Sequence, residues 1–302
     1  MKTNFVLLLL LIVFLASCWK EKNNDTTLTA DAVAASTDTI ITEKSTADKG
    51  ISELKLLTNE FISGKKEVEK QLKTLSKTEA NKLYQAYYEK SFEVIGKIDK
   101  KEHLLLENYY SYFYNEENRG TPPDSIRQKE ALLKNAGLKF SEDGEGGVYV
   151  APHHLFYYSI FKNYVTDDYR EYIYLEAKDN EKLWNADAGI GITWKELGDK
   201  VRDWENFVKK YPHSVLFSEA NNTYLNYQYY FLFGMDNTPV METVEGSTNY
   251  NEIYPEIKKD LEGFIKDHPE SPTSKRVKRI LDNEGKDYTS LQEDILRELK
   301  IK

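Results

Sequence analysis

The chain has 302 residues, a formal charge of −9 and a single cysteine. Its acidic balance excludes a nucleic-acid binder built on a Lys/Arg footprint and argues against electrostatic adhesion to anionic lipid. One cysteine allows neither an internal disulfide nor a multi-thiolate metal site, so stability must come from packing, for which 22 Tyr, 13 Phe and 4 Trp supply the bulk.

Lys2 precedes an apolar run, Phe5 to Leu15, that closes on Leu15-Ala16-Ser17-Cys18. A positive start, a short apolar core and small residues before a cysteine read as a signal segment. A bilayer span needs roughly 20 apolar residues, and this run is shorter. The pattern resembles a bacterial lipoprotein signal with its lipobox. That resemblance implies a signal peptide over 1–17, cleavage before Cys18, a diacylglycerol thioether on Cys18 and acylation of the new amino group. Two or three acyl chains anchor a protein to a bilayer stably, where one is marginal. The expected location is therefore the bacterial envelope, lipid-anchored. Trp19 is not the aspartate associated with inner-membrane retention, so the outer membrane is the expected one. The alternatives are an uncleaved anchor and an ordinary secretory signal. Residues 18–50 are polar, without apolar period, and read as a lipidated, disordered tether. Residues 51–302 then form the folded domain.

From Ile51 onward the apolar period becomes helical. Leu54, Leu57, Phe61 and Ile62 mark one face, followed by Val68, Leu72 and Leu75. Thr78 is the expected cap of the next helix, which carries Leu83, Ala86, Tyr87, Phe92, Val94, Ile95 and Ile98, and a further run extends from His103 to Asn115. Pro123 or Asp124 opens a helix that Gly137 ends. Leu138 to Ser141 and Val148 to Val150 alternate on either side of a glycine-rich turn, which predicts one small β-hairpin over 138–150. An aromatic helix follows from Leu155 to Val165, then one from Tyr169 to Lys178 capped by Thr166-Asp167-Asp168. Residues 183–192 fit either a short helix or a buried loop. Thr193 and Glu196 form a capping box at the head of a helix running to Lys210. A last helix over 285–300 presents Leu291, Ile295 and Leu299 to close the array.

One internal repeat stands out. Trp204-Glu205-Asn206-Phe207-Val208-Lys209-Lys210-Tyr211-Pro212-His213-Ser214 aligns with Leu261-Glu262-Gly263-Phe264-Ile265-Lys266-Asp267-His268-Pro269-Glu270-Ser271. In each, Pro stops a helix and Ser caps the next. Each unit is an αα-hairpin, and stacked hairpins bury faces that none buries alone. These segments resemble tetratricopeptide-like repeats and the Phe-[Val/Ile]-x-x-[Tyr/His]-Pro-x-Ser turn of bacterial envelope lipoproteins, although the 57-residue offset departs from a 34-residue period; Leu232 to Val240 and a Gly246-Ser247-Thr248 turn fill the excess. The predicted fold is all-α: roughly nine or ten helices in an irregular array of antiparallel hairpins, with one small β-hairpin.

Chemistry is harder to find. His153-His154 is the one histidine pair, and Asp167 and Asp168 would complete a Zn²⁺ set if they approached it. Ser52 to Lys55 and Ser63 to Lys66 repeat the Ser-x-x-Lys spacing without the companion motifs of penicillin-binding enzymes. Glu142, Asp143 and Glu145 cluster without the regular spacing of a calcium loop. The Tyr-rich stretches Tyr109 to Tyr114 and Tyr157 to Tyr174 suit core packing, with a minority lining a groove. No residue is assigned a catalytic, cofactor-binding or metal role, and no cofactor is expected; Cys18 is the assigned modification site. The expected function is a non-catalytic, lipid-anchored envelope protein that binds another envelope protein or acts as a scaffold. The alternatives are carbohydrate capture through exposed Tyr and Trp, and an envelope hydrolase using carboxylate or His153/His154 chemistry. The bilayer, reached through Cys18, and a protein or glycan are the expected partners; nucleic acid is not.

Overall fold

A computed structural model describes residues 36–113, 120–243, 251–286 and 288–299. The chain divides into two units, Met1–Ser45 and Thr46–Lys302, and the architecture below is that of the second. The signal segment, Cys18 and the Gly246-Ser247-Thr248 turn lie outside the described residues.

The first helix, α1 (Ser36–Gln71), starts within the stretch expected to be tether rather than at Ile51. Its partner α2 (Lys77–Glu107) runs antiparallel, as the ion pairs Lys97–Glu60 (2.8 Å) and Lys101–Glu53 show by their reversed order. Ser76, not Thr78, caps α2. Its hydroxyl receives the Glu79 N–H while the Glu79 carboxylate receives the Ser76 N–H at 2.9 Å, so two orphan donors are satisfied reciprocally. A short α3 (Tyr109–Phe113) follows, separated from α2 by Asn108 rather than continuing it. Next comes α4 (Asp124–Ala136), opened by Pro123 and ended by Gly137 in the left-handed region, as expected.

The hairpin β1 (Leu138–Glu142) and β2 (Val148–Pro152) pairs antiparallel, Phe140 opposite Val150. The chain then forms α5 (Phe156–Phe161) and α6 (Asp167–Asp179). The ambiguous segment is neither helix nor plain loop. It is a two-residue hairpin, β3 (Asn185–Ala186) with β4 (Gly189–Ile190), turned by Asp187 and Ala188 at φ 47° and 50°. Both turn residues are left-handed, which matches the twist that tight hairpins require.

The repeat emerges as α7 (Trp194–Lys210) with α8 (Phe217–Phe233) and α9 (Pro255–Asp267) with α10 (Pro272–Asp282). Thr193 and Glu196 make the predicted capping box, and Ser271 caps α10 through the Thr273 N–H at 3.1 Å. Ser214, expected to cap α8 in the same way, does not: Leu216 is the N-cap, and the Ser214 hydroxyl receives the Leu216 N–H at 3.2 Å, ahead of the helix, and itself donates to Asp168. The connection between α8 and α9 holds the hairpin β5 (Gly234–Met235) and β6 (Thr238–Pro239), and then β7 (Met241–Thr243) pairs with β8 (Asn251–Ile253). Helix α11 (Tyr288–Leu299) buries Leu291, Ile295 and Leu299. The fold is thus all-α, built of antiparallel helical hairpins, with four small β-hairpins among the described residues where one was expected, and eleven helices. No helix among the described residues is long and apolar enough to cross a membrane.

Aromatic rings fill the interior. Phe61, Tyr84, Tyr87, Phe156 and Phe161 are buried between α1, α2 and α5, with Phe61–Phe156 centroids 5.2 Å apart and Tyr84–Phe161 meeting edge-on at 5.3 Å. In the repeat, Trp204, Phe207 and Phe231 are sealed from solvent, and Trp194 donates its indole N–H to the Phe231 carbonyl at 3.0 Å. Such rings contribute large apolar area and prefer tilted or edge contacts.

Candidate functional site

An open groove lies between α2, the β1–β2 hairpin and α6. It has two adjoining lobes, of about 420 Å³ and about 760 Å³, which share Lys139, Ser141, Tyr149, Glu176 and Asn180. Helical periodicity builds both walls. On α2, Tyr84, Tyr88 and Phe92 succeed each other at four-residue spacing. On α6, Ile173, Glu176 and Ala177 fall on one face, and Asn180, the C-cap, continues it.

The first lobe has an aromatic wall. Tyr88 stacks obliquely on Phe92 at 4.8 Å and on Tyr157 at 5.1 Å, and Tyr88, Phe92 and Tyr149 remain exposed to solvent. The hairpin is pinned against α2 by one charge-assisted bond: the Val150 N–H donates to Asp99 Oδ1 at 2.8 Å. Burial pushes the Asp99 carboxyl up, against the pull of that bond.

Glu176 sits where the lobes meet. Part of its surface opens to the groove, yet protein atoms enclose most of it. Its carboxyl is pushed up to about 7, first by desolvation and then by the Asp179 carboxylate, with the Tyr172 hydroxyl bond pulling the other way. Burial also raises the phenols of Tyr84, Tyr88 and Tyr172 around it, so they stay neutral donors.

Asp179, one turn on, is differently served. It receives Lys200 Nζ and the Trp204 indole N–H, each at 2.7 Å. In the second lobe Trp184 meets Tyr227 at 5.2 Å, and Tyr109 meets Phe140 at 5.2 Å.

The residues singled out in the sequence are placed as follows. His153 and His154 lie at the first lobe with ring centroids 4.3 Å apart. Desolvation, then His154, then Lys139 hold His153 below the usual imidazole range. Asp168 does not approach them; it receives the hydroxyls of Thr166 and Ser214, the latter at 2.6 Å. Among the described residues no group of three or more His, Cys, Asp or Glu is placed to hold a metal ion. Ser52, Lys55, Ser63 and Lys66 are exposed along α1. Asp143 is occupied by the N–H groups of Glu145 and Gly147, at 2.8 and 2.9 Å, and so serves the turn.

Sequence reasoning missed Glu176, Asp99, Asn180 and the pairing of Tyr84 with Tyr88, and it placed Ala86 and Phe92 on the buried face of their helix, whereas both are exposed and Phe92 extends the Tyr84–Tyr88 stripe. A signal for Glu176 existed. It interrupts the apolar face that Tyr169, Ile173 and Ala177 define on α6, and a carboxyl there lacks a bland solvent role.

Comparison with protein-family models, with curated proteins and with solved structures found no match.

Proposed function

We propose that this is a non-catalytic, lipid-anchored envelope protein, tethered through acylated Cys18, whose groove binds an exposed segment of another protein. The observation that carries the binding reading is the preformed wall of solvent-exposed rings, Tyr88, Phe92 and Tyr149, beside polar groups on α6. Pockets of this kind combine apolar area with a few convergent polar groups that fix orientation. The anchor reading rests on the Leu15-Ala16-Ser17-Cys18 pattern. A glycan is the second reading, since exposed tyrosines flanking Asn180 also suit sugar faces and hydroxyls.

Two experiments test this. Mass spectrometry of the native N-terminus should find diacylglycerol on Cys18; an unmodified Cys18 overturns the anchor. Photo-crosslinkers placed at Phe92 or Tyr149 in native envelopes should capture one reproducible protein, whereas a crosslinker at the exposed Leu56 on α1 should not. Equal capture from both sites overturns the groove as the binding surface.

A further inference from the structure

We propose that the groove recognises a lysine side chain of an extended peptide, the ammonium resting on Glu176 beside Tyr84 and Tyr88 and the stem lying along the exposed rings. This deepens the protein-binding reading above and rests on it.

The argument starts from an unbalanced charge. Every ionised group that shifts Glu176 is itself an acid: Asp179 on its own helix and Glu219 on α8. The other groups facing it are phenols, Tyr84 and Tyr88 from α2, Tyr172 from α6 and Tyr227 from α8. Nearby cations are Lys139, which lines both lobes from β1, Lys182, which lines the second lobe and is paired with Glu196 at 3.0 Å, and Lys200, which is committed to Asp179 at 2.7 Å. His153 and His154 also line the first lobe, with His153 held toward its neutral form. Asp99 on α2 is engaged by the Val150 N–H. Glu176 accepts the Tyr172 hydroxyl but has no ion-pair partner among the described residues. An enclosed carboxyl held only by a neutral donor costs the folded state free energy, and a ligand that supplies a cation recovers it.

The walls select among cations. An ammonium over a tyrosine face is attracted by the ring quadrupole, and the four-carbon stem of lysine matches an apolar wall. A hydrated metal ion would find neither a converging ligand set nor a use for the rings. The formal charge of −9 adds long-range attraction for a basic segment. Because two lobes adjoin at Glu176, an extended peptide fits better than a compact amine: residues on either side of the lysine occupy one lobe each.

The test uses the full chain in detergent and a fluorescent peptide, acetyl-Ala-Leu-Lys-Leu-Ala-amide, against the same peptide with Nε-acetyl-lysine. At pH 8 the lysine peptide should bind at least roughly tenfold tighter, the signature of one charge-assisted pair. Lowering the pH to 5.5 protonates a carboxyl titrating at about 7 and should remove most of that advantage, roughly sevenfold for a roughly tenfold pair. Glu176→Gln should bring the two peptides within about threefold of each other, and Tyr88→Leu should weaken the lysine peptide while keeping its preference. Equal binding of the two peptides, an unchanged preference in Glu176→Gln, or no saturable binding of the lysine peptide at millimolar concentration overturns the proposal. Saturable binding of chitotetraose in place of the lysine peptide also overturns it and assigns the groove to a glycan. In any of these cases, specific crosslinking from Phe92 would leave the broader protein-binding reading standing.

Discussion

Glu176→Gln offers the sharpest physical test of the groove. The carboxyl titrates at 4.5 in the ordinary case and at about 7 in the folded protein, chiefly through desolvation. Its folded-state value is raised, so the folded protein holds the proton more tightly than the unfolded chain does. At pH 4 both states are protonated and the group is neutral in the balance. As pH rises past 4.5 the unfolded chain ionises first, and folding stability falls until the folded group ionises near 7. Above that the deficit is constant, at roughly 3 kcal/mol. Glutamine keeps the size and the acceptor for the Tyr172 hydroxyl and removes the charge. Urea denaturation of wild type and Glu176→Gln between pH 4 and 8.5 should show equal stability at pH 4 and a variant advantage approaching roughly 3 kcal/mol by pH 8. Parallel curves across pH 5–8 would refute the reasoning, because they would mean that Glu176 ionises as freely folded as unfolded. The same lysine peptide, if it binds as proposed, should stabilise wild type more at pH 8 than at pH 5.5.

Other consequences follow from the packing. Glu205 is buried and receives Ser271 Oγ at 2.5 Å, Thr273 Oγ1 at 3.2 Å and Arg202 Nη1 at 2.5 Å, whereas the repeat-equivalent Glu262 is exposed. Chemical denaturation should therefore show Glu205→Ala losing about 3 kcal/mol, and Glu262→Ala changing stability by less than about 0.5 kcal/mol. Gly263 on α9 has open space where a Cβ would go, so Gly263→Ala should gain about 0.5–1 kcal/mol, read as a higher Tm. Gly198 on α7 would put a Cβ 3.1 Å from both Phe231 and Phe264, so Gly198→Ala should lower Tm instead, by an amount reflecting about 1–2 kcal/mol. Gly144 has φ +86° and its Cβ would lie 2.7 Å from the Asn185 carbonyl; Gly144→Ala should cost about 2 kcal/mol and increase amide exchange in residues 183–190.

Helical periodicity carried most of the architecture into the sequence. Leu54, Phe61, Val68 and Leu72 all prove to be buried on α1, and the capping box at Thr193 and the serine cap at Ser271 form as read. These signals are local: one turn of helix, or one cap, decides them. The cap at Ser76 was misplaced by two residues because Ser76 and Thr78 are both capping types and only the reciprocal bond with Glu79 separates them. The small hairpins at 185–190 and 234–239 escaped notice for a different reason. Two-residue strands carry no alternation to read, and Asp187 and Ala188 do not advertise their positive φ. What holds them is tertiary. The groove was less legible still. With 50 acidic residues in the chain, a single enclosed carboxyl does not stand out by type, and its enclosure depends on α2 and α8 reaching it from distant sequence.

Those small hairpins explain how an array of helices keeps a groove open. Left alone, α2 and α6 would close on each other to bury Tyr88 and Phe92, since apolar area gains by contact. The β1–β2 hairpin stands between them, fixed to α2 through Asp99. Its turn is fixed in addition at the far side: the Asp187 N–H donates to the Gly144 carbonyl at 2.9 Å. The β3–β4 turn is held in turn by β5–β6, through the Asn237 N–H to the Ala188 carbonyl at 3.0 Å and the Ile190 N–H to Thr238 Oγ1 at 2.8 Å. Gly234 admits this arrangement because at φ +76° its missing Cβ would otherwise lie 2.3 Å from the Thr238 carbonyl. The Gly234-to-Pro239 motif, read in the sequence as filler between two repeats, thus belongs to a chain of bonds that runs from the repeat through β3–β4 to the tip of β1–β2. A two-stranded hairpin is marginal by itself, and here three of them support one another through their turns. The second lobe of the groove is therefore a by-product of the insertion that stretches the repeat offset: residues that separate the helical hairpins also brace the wall against which a ligand would rest.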